Sequence, residues 1–308
     1  MTLLCYNGPV KVKVFAKLNL ILNVGAKQGE FHPIDSVATS VDLYDQVEVV
    51  KRNDNSVNVY GVQCVAEMCN TAYKAAVAFI QRFQPRLVST SGVDITIRKG
   101  IPFGAGLGGS SADAAAVVYC MCKLFGVDIR SREISELCSS LGSDVNFMLF
   151  GGLGRLQGKG DDVTFYQQAE PLHFALTTFD VGMSSKEIYT AYDCYVQQSA
   201  ACLPELTQVA HRNDCVVDML VRGYPTYALK SFENNLQPVV ESNYDYCKSY
   251  IAFVSQHKLH CCMTGSGSAF YVACCTQMEA QRVADLLNAN GFTTTVCTSV
   301  PSGIIEIL

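Results

Sequence analysis

The sequence has no apolar run long enough to cross a bilayer, for which roughly 20 residues are needed. Its opening stretch, MTLLCYNGPVKVKVFAKLNL, is apolar but broken by Asn7, Pro9, Lys11 and Lys13. No basic segment followed by an apolar run and a small-residue cleavage site is present, and no transit-peptide pattern, so a cytoplasmic protein without a membrane partner is expected. A basic excess is missing too. The formal net charge is -5, which argues against a nucleic-acid partner while leaving room for a local basic pocket around a small phosphate ligand. Internal repeats and low-complexity segments are absent.

Metal-ligand spacing is also lacking: the chain has no Cys-x-x-Cys pairs and no His/Cys cluster of the zinc type. Cysteine itself is abundant, at 15 residues, but the odd number in so long a chain argues against a disulfide framework. Cys261-Cys262 and Cys274-Cys275 are adjacent, so on strands the neighbours face opposite sides and do not chelate. Reduced thiols serving as small core residues are expected, which fits a reducing compartment. With 308 residues, 49% hydrophobic and 17% charged, the chain has material for one large domain or two ordinary ones.

Periodicity supplies a coarse α+β reading. VKVKVFAKLNLILNV, VDLYDQVEVVKR and SVNVYGV read as strands, and NTAYKAAVAFIQRF as a helix. VDITIRKG alternates strictly and ends in a turn. A helix follows from about Ser110 to Phe125, stopped by Gly126, and SREISELCSSLG is another, stopped by Gly142. FMLFGGLGRLQGKGDDV reads as strand, turn, strand, with Asp161 and Asp162 in a solvated turn. Beyond about residue 165 the pattern restarts: HFALTTFD as a strand, SSKEIYTAYDCYV as a helix, and a mostly helical segment from Asn213 to Val240. HCCMTGSGSAFYVACC, MEAQRVADLLNANG and FTTTVCTSV then read as strand-turn-strand, helix and strand.

The stretch KGIPFGAGLGGSSADAAA puts four glycines just ahead of a helix. Glycine permits positive φ and close approach of a ligand to the backbone. A helix start offers unpaired N–H groups and partial positive charge, so a glycine loop running into one is an anion cradle. Ser110 is a natural N-cap, with Asp113 three residues on completing a capping box. The hydroxyls of Ser110 and Ser111 are suited to phosphate or to Mg²⁺. No lysine follows as a P-loop requires, and Gly104, Gly106, Gly108 and Gly109 do not have Rossmann spacing. A plain capping turn with small residues for close packing is the other reading of this loop.

Three motifs in fixed order narrow the choice. PFGAGLGGSSADAA closely resembles the Pro-x-x-x-Gly-Leu-(Gly/Ser)-Ser-Ser/Ala-Ala motif of the GHMP kinases. FAKLNLILNV, from Phe15 to Val24, resembles their N-terminal motif, and MTGSGSAFYV, from Met263 to Val272, their C-terminal one. GEFHPIDSVATSVDLYDQVEV, LGSDVNFMLFGG and ENNLQPVV further resemble segments of the 4-diphosphocytidyl-2-C-methyl-D-erythritol kinase family.

That resemblance implies a two-domain α+β GHMP kinase fold. It consists of a ribosomal protein S5 domain 2-like ATP-binding domain over 1–165 and a ferredoxin-like domain over 166–308. It implies ATP and Mg²⁺ as cofactors and a small-molecule substrate carrying a CDP group, handled by a monomer or homodimer. Asp144 falls at the catalytic base and Lys17 beside it. Asn70, Lys99, Pro102, Gly104, Gly106, Leu107, Gly108, Gly109, Ser110 and Ser111 fall on the nucleotide side, with Ser110 also toward the metal. Asn19, Phe31, His32, Asp144, Ser185, Gly265 and Gly267 fall on the substrate side. Phe31 stands where the family usually has tyrosine, which keeps a stacking face and loses the phenol oxygen.

By residue type alone, plainer readings stand beside these. Asp144, Asn70 and Lys99 fit turns or caps, Lys17 an edge strand, His32 a surface loop, and the Gly265–Gly267 turn a hairpin. At the level of function, a GHMP kinase with another acceptor and a catalytically silent ligand-binding relative are the alternatives.

Overall fold

The computed structural model describes residues 8–62, 70–84, 91–199 and 205–307. Its first half runs β1 (Val10–Val24), β2 (Ile34–Lys51), β3 (Val57–Tyr60), α1 (Thr71–Phe83), β4 (Val93–Arg98) and α2 (Gly109–Phe125). It continues through α3 (Arg132–Leu141), α4 (Val145–Phe150), β5 (Leu153–Gly158) and β6 (Asp162–Tyr166). The second half runs β7 (His173–Thr177), α5 (Ser185–Ser199), α6 (Leu206–Val221), α7 (Pro225–Ala228), β8 (Glu233–Asn234), α8 (Gln237–Asn243) and α9 (Asp245–Gln256). It closes with β9 (Cys261–Met263), β10 (Phe270–Cys274), α10 (Gln277–Ala289), β11 (Thr294–Val300) and β12 (Ile304–Glu306). Among the described residues, no helix is long and apolar enough to cross a membrane.

Strands β1 and β2 pair antiparallel along nearly their whole lengths. The far end of β2 pairs with β4 and its near end with β5. In the second half, β7 lies between β10 and β11. Strand β11 then runs on to pair with β2 through Ser299 and Val300, joining the two sets of strands. Two short late strands, β8 and β12, return to β1. One hydrophobic core gathers around Leu18, Phe79 and Phe147, with the Ala-rich α2 buried through it. A second gathers around Tyr250, Phe270 and Leu287 and draws Leu22 and Val24 from the end of β1.

Two features of β1 bear on function. Its first residues alternate buried and half-buried, but from Val14 onward every side chain is buried, Lys17, Asn19 and Asn23 included. Its register with β2 shifts between Phe15 and Ala16 and again between Asn19 and Ile21. Bulges bend a strand and re-aim its side chains, and this pair brackets Lys17 and Asn19.

One reading of the sequence is corrected here. FMLF is the end of helix α4, not a strand. The helix begins straight after the Gly142–Asp144 turn and is stopped by Gly151 and Gly152, both at positive φ, so the strand starts only at Leu153. A short apolar run has no period by which to tell helix from strand.

A buried ion pair pins α6 to the sheet. The Arg155 guanidinium donates to both carboxylate oxygens of Asp35, at 2.9 and 2.6 Å. Asn213 of α6 donates to the same carboxylate at 2.9 Å. Removing Asp35 takes away the buried partner of Arg155 and Asn213 and leaves the guanidinium only the exposed Asp214 and the Ala210 carbonyl, and breaking a buried pair by removing one partner is strongly destabilising. Asp35→Ala is therefore expected to lower the unfolding free energy by about 3–5 kcal/mol, measured by urea denaturation.

Candidate active site

The glycine loop closes one side of a cavity of about 430 Å³, within the usual range of small-molecule sites. Its backbone is tied on three sides. Lys17 N–H donates to the carbonyl of Leu107, Ala269 N–H to that of Ala105, and Met183 N–H to that of Gly104. Gly106 and Gly108 have φ of +76° and +74°. A Cβ at Gly106 would stand 2.1 Å from the Thr264 carbonyl oxygen, and one at Gly108 would stand 2.0 Å from Met148 Cε. The loop thus lies backbone against backbone on the turn of the C-terminal motif.

Helix α2 is capped two residues earlier than its serines suggest. Gly108, in the left-handed conformation, takes the N-cap position, and no side chain caps the helix. Ser110 is therefore not the N-cap, and the expected capping box does not form. A left-handed glycine makes the turn that a serine cap would otherwise make, and it places Ser110 inside the first helical turn. Asp113 turns instead to Lys99, whose Nζ it accepts at 2.8 Å. The uncapped first turn, with Ser110 and Ser111, lines the cavity. Its N–H groups and dipole favour negative charge there.

Across the cavity stand Lys17 and Asp144, with Nζ and Oδ2 3.4 Å apart. Lys17 is buried, and its ammonium also donates to Asn19 Oδ1. Asp144 precedes α4, makes no side-chain cap bond and presents its carboxylate to the cavity. Asn19 lines the cavity, but its amide is engaged within the protein. Its Nδ2 donates to Ser36 Oγ at 2.8 Å, and its Oδ1 also accepts from Gly265 N–H at 3.0 Å. Its backbone N–H donates to Thr264 Oγ1 at 3.0 Å. Asn19 thereby ties the N-terminal motif to the C-terminal one.

The remaining expected residues divide. Pro102, Gly104, Gly109, Lys99, Ser185 and Gly265 line the cavity, and Ser185 Oγ lies 2.9 Å from Ser266 Oγ. Gly267 shapes the same turn at φ +83° without lining the cavity. Asn70 stands apart from the lining and caps α1, accepting from Ala72 N–H at 2.8 Å. Phe31 and His32 lie behind the cavity wall. His32 Nε2 is 2.7 Å from Asp193 Oδ1, and its ring packs tilted at 34° against Tyr189, a wall residue, with centroids 5.2 Å apart. Phe31 lies under the ammonium of Lys159, also in the wall.

Sequence reasoning did not single out Ser143, Lys159 or Tyr189, all of which reach the cavity, as does Ser266 of the Gly265–Gly267 turn. Lys159, a lone cation between two glycines, was the one with a visible signal. The Tyr189 phenol is pushed upward by burial and then by the nearby charge of Asp144. The cysteines among the described residues are free, and burial pushes the Cys138 and Cys262 thiols up to about 12. These two stay protonated core side chains at neutral pH.

Residues 70–152 match the family model for the GHMP kinases N terminal domain. The chain is similar to the 4-diphosphocytidyl-2-C-methyl-D-erythritol kinase of Caldicellulosiruptor saccharolyticus, with 31% identity over 282 residues, 90% of this chain and 92% of the relative. It is 30% identical over 267 residues to the enzyme of that name from Thermosipho africanus, covering 86% of this chain and 90% of the relative. Among solved structures, it matches a 4-(cytidine 5'-diphospho)-2C-methyl-D-erythritol kinase with a TM-score of 0.72 at 24% identity, over 94% of this chain and 98% of that one. A homoserine kinase from Cytophaga hutchinsonii matches with a TM-score of 0.72 at 17% identity, over 97% of each chain. The two structural likenesses show a shared fold.

Proposed function

Since this chain belongs to the 4-diphosphocytidyl-2-C-methyl-D-erythritol kinase family of the GHMP kinases, and is thus an ATP-dependent kinase, we propose that it phosphorylates the 2-hydroxyl of 4-diphosphocytidyl-2-C-methyl-D-erythritol. The reaction belongs to the non-mevalonate route to isoprenoid precursors. The observation that carries this reading is the Lys17–Asp144 pair, 3.4 Å apart and facing the same cavity as the uncapped start of α2. A base and a cation stand at one wall, and a phosphate cradle forms another.

The mechanism follows from those positions. The first turn of α2 and the hydroxyls of Ser110 and Ser111 hold the phosphates of ATP. Asp144 accepts the proton of the acceptor hydroxyl as its oxygen attacks the γ-phosphorus and ADP leaves. Lys17, held in place by Asn19, stabilises negative charge on the reacting oxygens. Among the described residues, no group of three or more His, Cys, Asp or Glu side chains is placed to hold a metal. The donor set fits Mg²⁺ carried in by the nucleotide, which the Ser110 hydroxyl would help to hold, rather than a metal held by protein alone. Bound there, Mg²⁺ would neutralise phosphate charge.

At the far end, Ser185 and the Gly265–Gly267 turn face the substrate's diphosphate, and Phe31 and His32 serve its cytosine. What supports this assignment is their position against the wall: His32 packs tilted on Tyr189 and bonds Asp193, and Phe31 lies under Lys159. His32→Ala is expected to raise KM for the cytidine substrate at least tenfold while leaving KM for ATP unchanged, measured by varying each substrate in turn.

The primary test is coupled ADP release with Mg-ATP and 4-diphosphocytidyl-2-C-methyl-D-erythritol. Turnover that depends on this acceptor supports the reading. Bound ATP with no turnover on it, and turnover on another alcohol, would transfer the assignment to a different acceptor.

A further inference from the structure

A buried charge cluster underlies the glycine loop and has no part in the transfer derived above. Asp45, on β2, is fully buried. Its Oδ1 accepts from the N–H groups of Gly100 and Ile101 at 2.7 and 2.8 Å, which fixes the turn leading into the loop. Its Oδ2 accepts from Lys99 Nζ at 2.5 Å, and the same ammonium donates to Asp113 Oδ2 at 2.8 Å. Asp113 is only 5% exposed, and its Oδ1 is buried with no hydrogen-bond partner among the described residues.

The charges do not balance. Two carboxylates share one ammonium, so with both ionised the cluster holds an extra negative charge. An ionised oxygen buried without a donor is costly, and protonation removes most of that cost. Burial pushes the Asp113 carboxyl up to about 7, against the pull of Lys99 and with the help of Asp45.

The cluster's place gives this imbalance a consequence. Asp113 lies in the second turn of α2, directly behind the turn that faces the cavity. Lys99 Nζ is 3.4 Å from where a Cβ on Gly109 would stand. The charged groups facing Asp113 are Lys99, from the turn after β4, and Asp45, from β2. Strand β1 brings Lys17 against Gly108 on the loop's other flank, with Asp144 beyond it. Polyphosphate arriving at the loop is repelled by an ionised Asp113 and not by a neutral one.

We propose that Asp113 is a positioning residue for ATP: with Asp45 it holds Lys99 beneath the glycine loop, and its unpartnered oxygen takes up a proton from the buffer acid in the solvent as the nucleotide's phosphates enter. This rests on the placement of ATP at the loop.

The test is calorimetric titration of Mg-ATP, without acceptor, into the full-length protein and Asp113→Asn near pH 8. Two buffers of different ionisation heat report the protons taken up. The wild type is expected to take up a fraction of a proton per ATP and Asp113→Asn none. In steady state, KM for ATP should rise severalfold as pH passes upward through neutrality in the wild type and stay flat in the variant. Equal uptake in both proteins, or a KM raised by the same factor at every pH, would overturn the proposal and leave a structural role alone.

Should Asp113→Asn fail to fold, Asp45→Asn serves instead. Giving Lys99 wholly to Asp113 should move the uptake to lower pH, and an unmoved profile overturns the idea. Gly106→Ala separates the two layers. If it leaves ATP affinity unchanged, the loop assignment fails. If it weakens ATP while the wild type takes up no proton, only the role of Asp113 fails.

Discussion

Asp144→Asn is expected to lower kcat by about 10²–10⁴-fold with KM for ATP nearly unchanged and the fold intact. The substitution keeps the size and shape of the side chain and removes its capacity to accept a proton. It removes no helix cap, because the Asp144 carboxylate makes no cap bond to α4. It leaves Lys17 anchored, because the ammonium still donates to Asn19 Oδ1. The proposed phosphate cradle is a separate segment, the loop before α2, so nucleotide binding has no direct reason to change. Single-turnover ADP release beside a thermal melt checks all three points. A variant that kept half of the wild-type kcat would remove Asp144 from the role of base.

The residues of this site were legible where their type clashed with their setting. Lys17 in a run of apolar residues and four glycines before a helix each needed a reason beyond packing. The structure supplies one by bringing them within a few ångströms. Lys17 N–H bonds to Leu107 of the loop, and Asn19 bonds to Thr264 and Gly265 of a turn some 245 residues away. Where a residue's type suited a plain local role, the sequence could not decide. Asn70 turned out to cap a helix, and Ser110, the better cap by type, was displaced by the backbone of Gly108. FMLF was misread because four apolar residues fit either period. Strands β8 and β12, of two and three residues, are too short to carry a period at all. Tyr189 and Lys159 reach the cavity only through tertiary placement. The pairing of Asp45 with Lys99 and Asp113 joins three separate segments, a juxtaposition that no spacing along the chain encodes.

Gly106→Ala is expected to lower kcat/KM at least about 100-fold, the scale on which misplacing reacting groups by an ångström acts. Two separate costs meet at this position. The first is conformational, since φ of +76° costs an L-residue about 1–2 kcal/mol. The second is steric: the new Cβ would stand 2.1 Å from the Thr264 carbonyl oxygen and 3.0 Å from that of Gly267. Backbone atoms on both sides leave no flexible side chain to yield, so the loop and the turn must part. Asn19 holds that turn through Thr264 and Gly265 and also anchors Lys17, so the displacement reaches the reacting groups as well as the phosphate cradle. Gly291→Ala isolates the first cost. Gly291 has φ +85° in the turn between α10 and β11, with nothing within 4 Å of a Cβ placed there. It should lose about 1–2 kcal/mol of stability and keep its activity. Urea denaturation and kcat/KM on both variants separate the effects. Matched losses of activity would mean that strain alone disables the enzyme, whereas a loss confined to Gly106→Ala locates catalysis in the contact between the glycine loop and the Thr264–Gly267 turn.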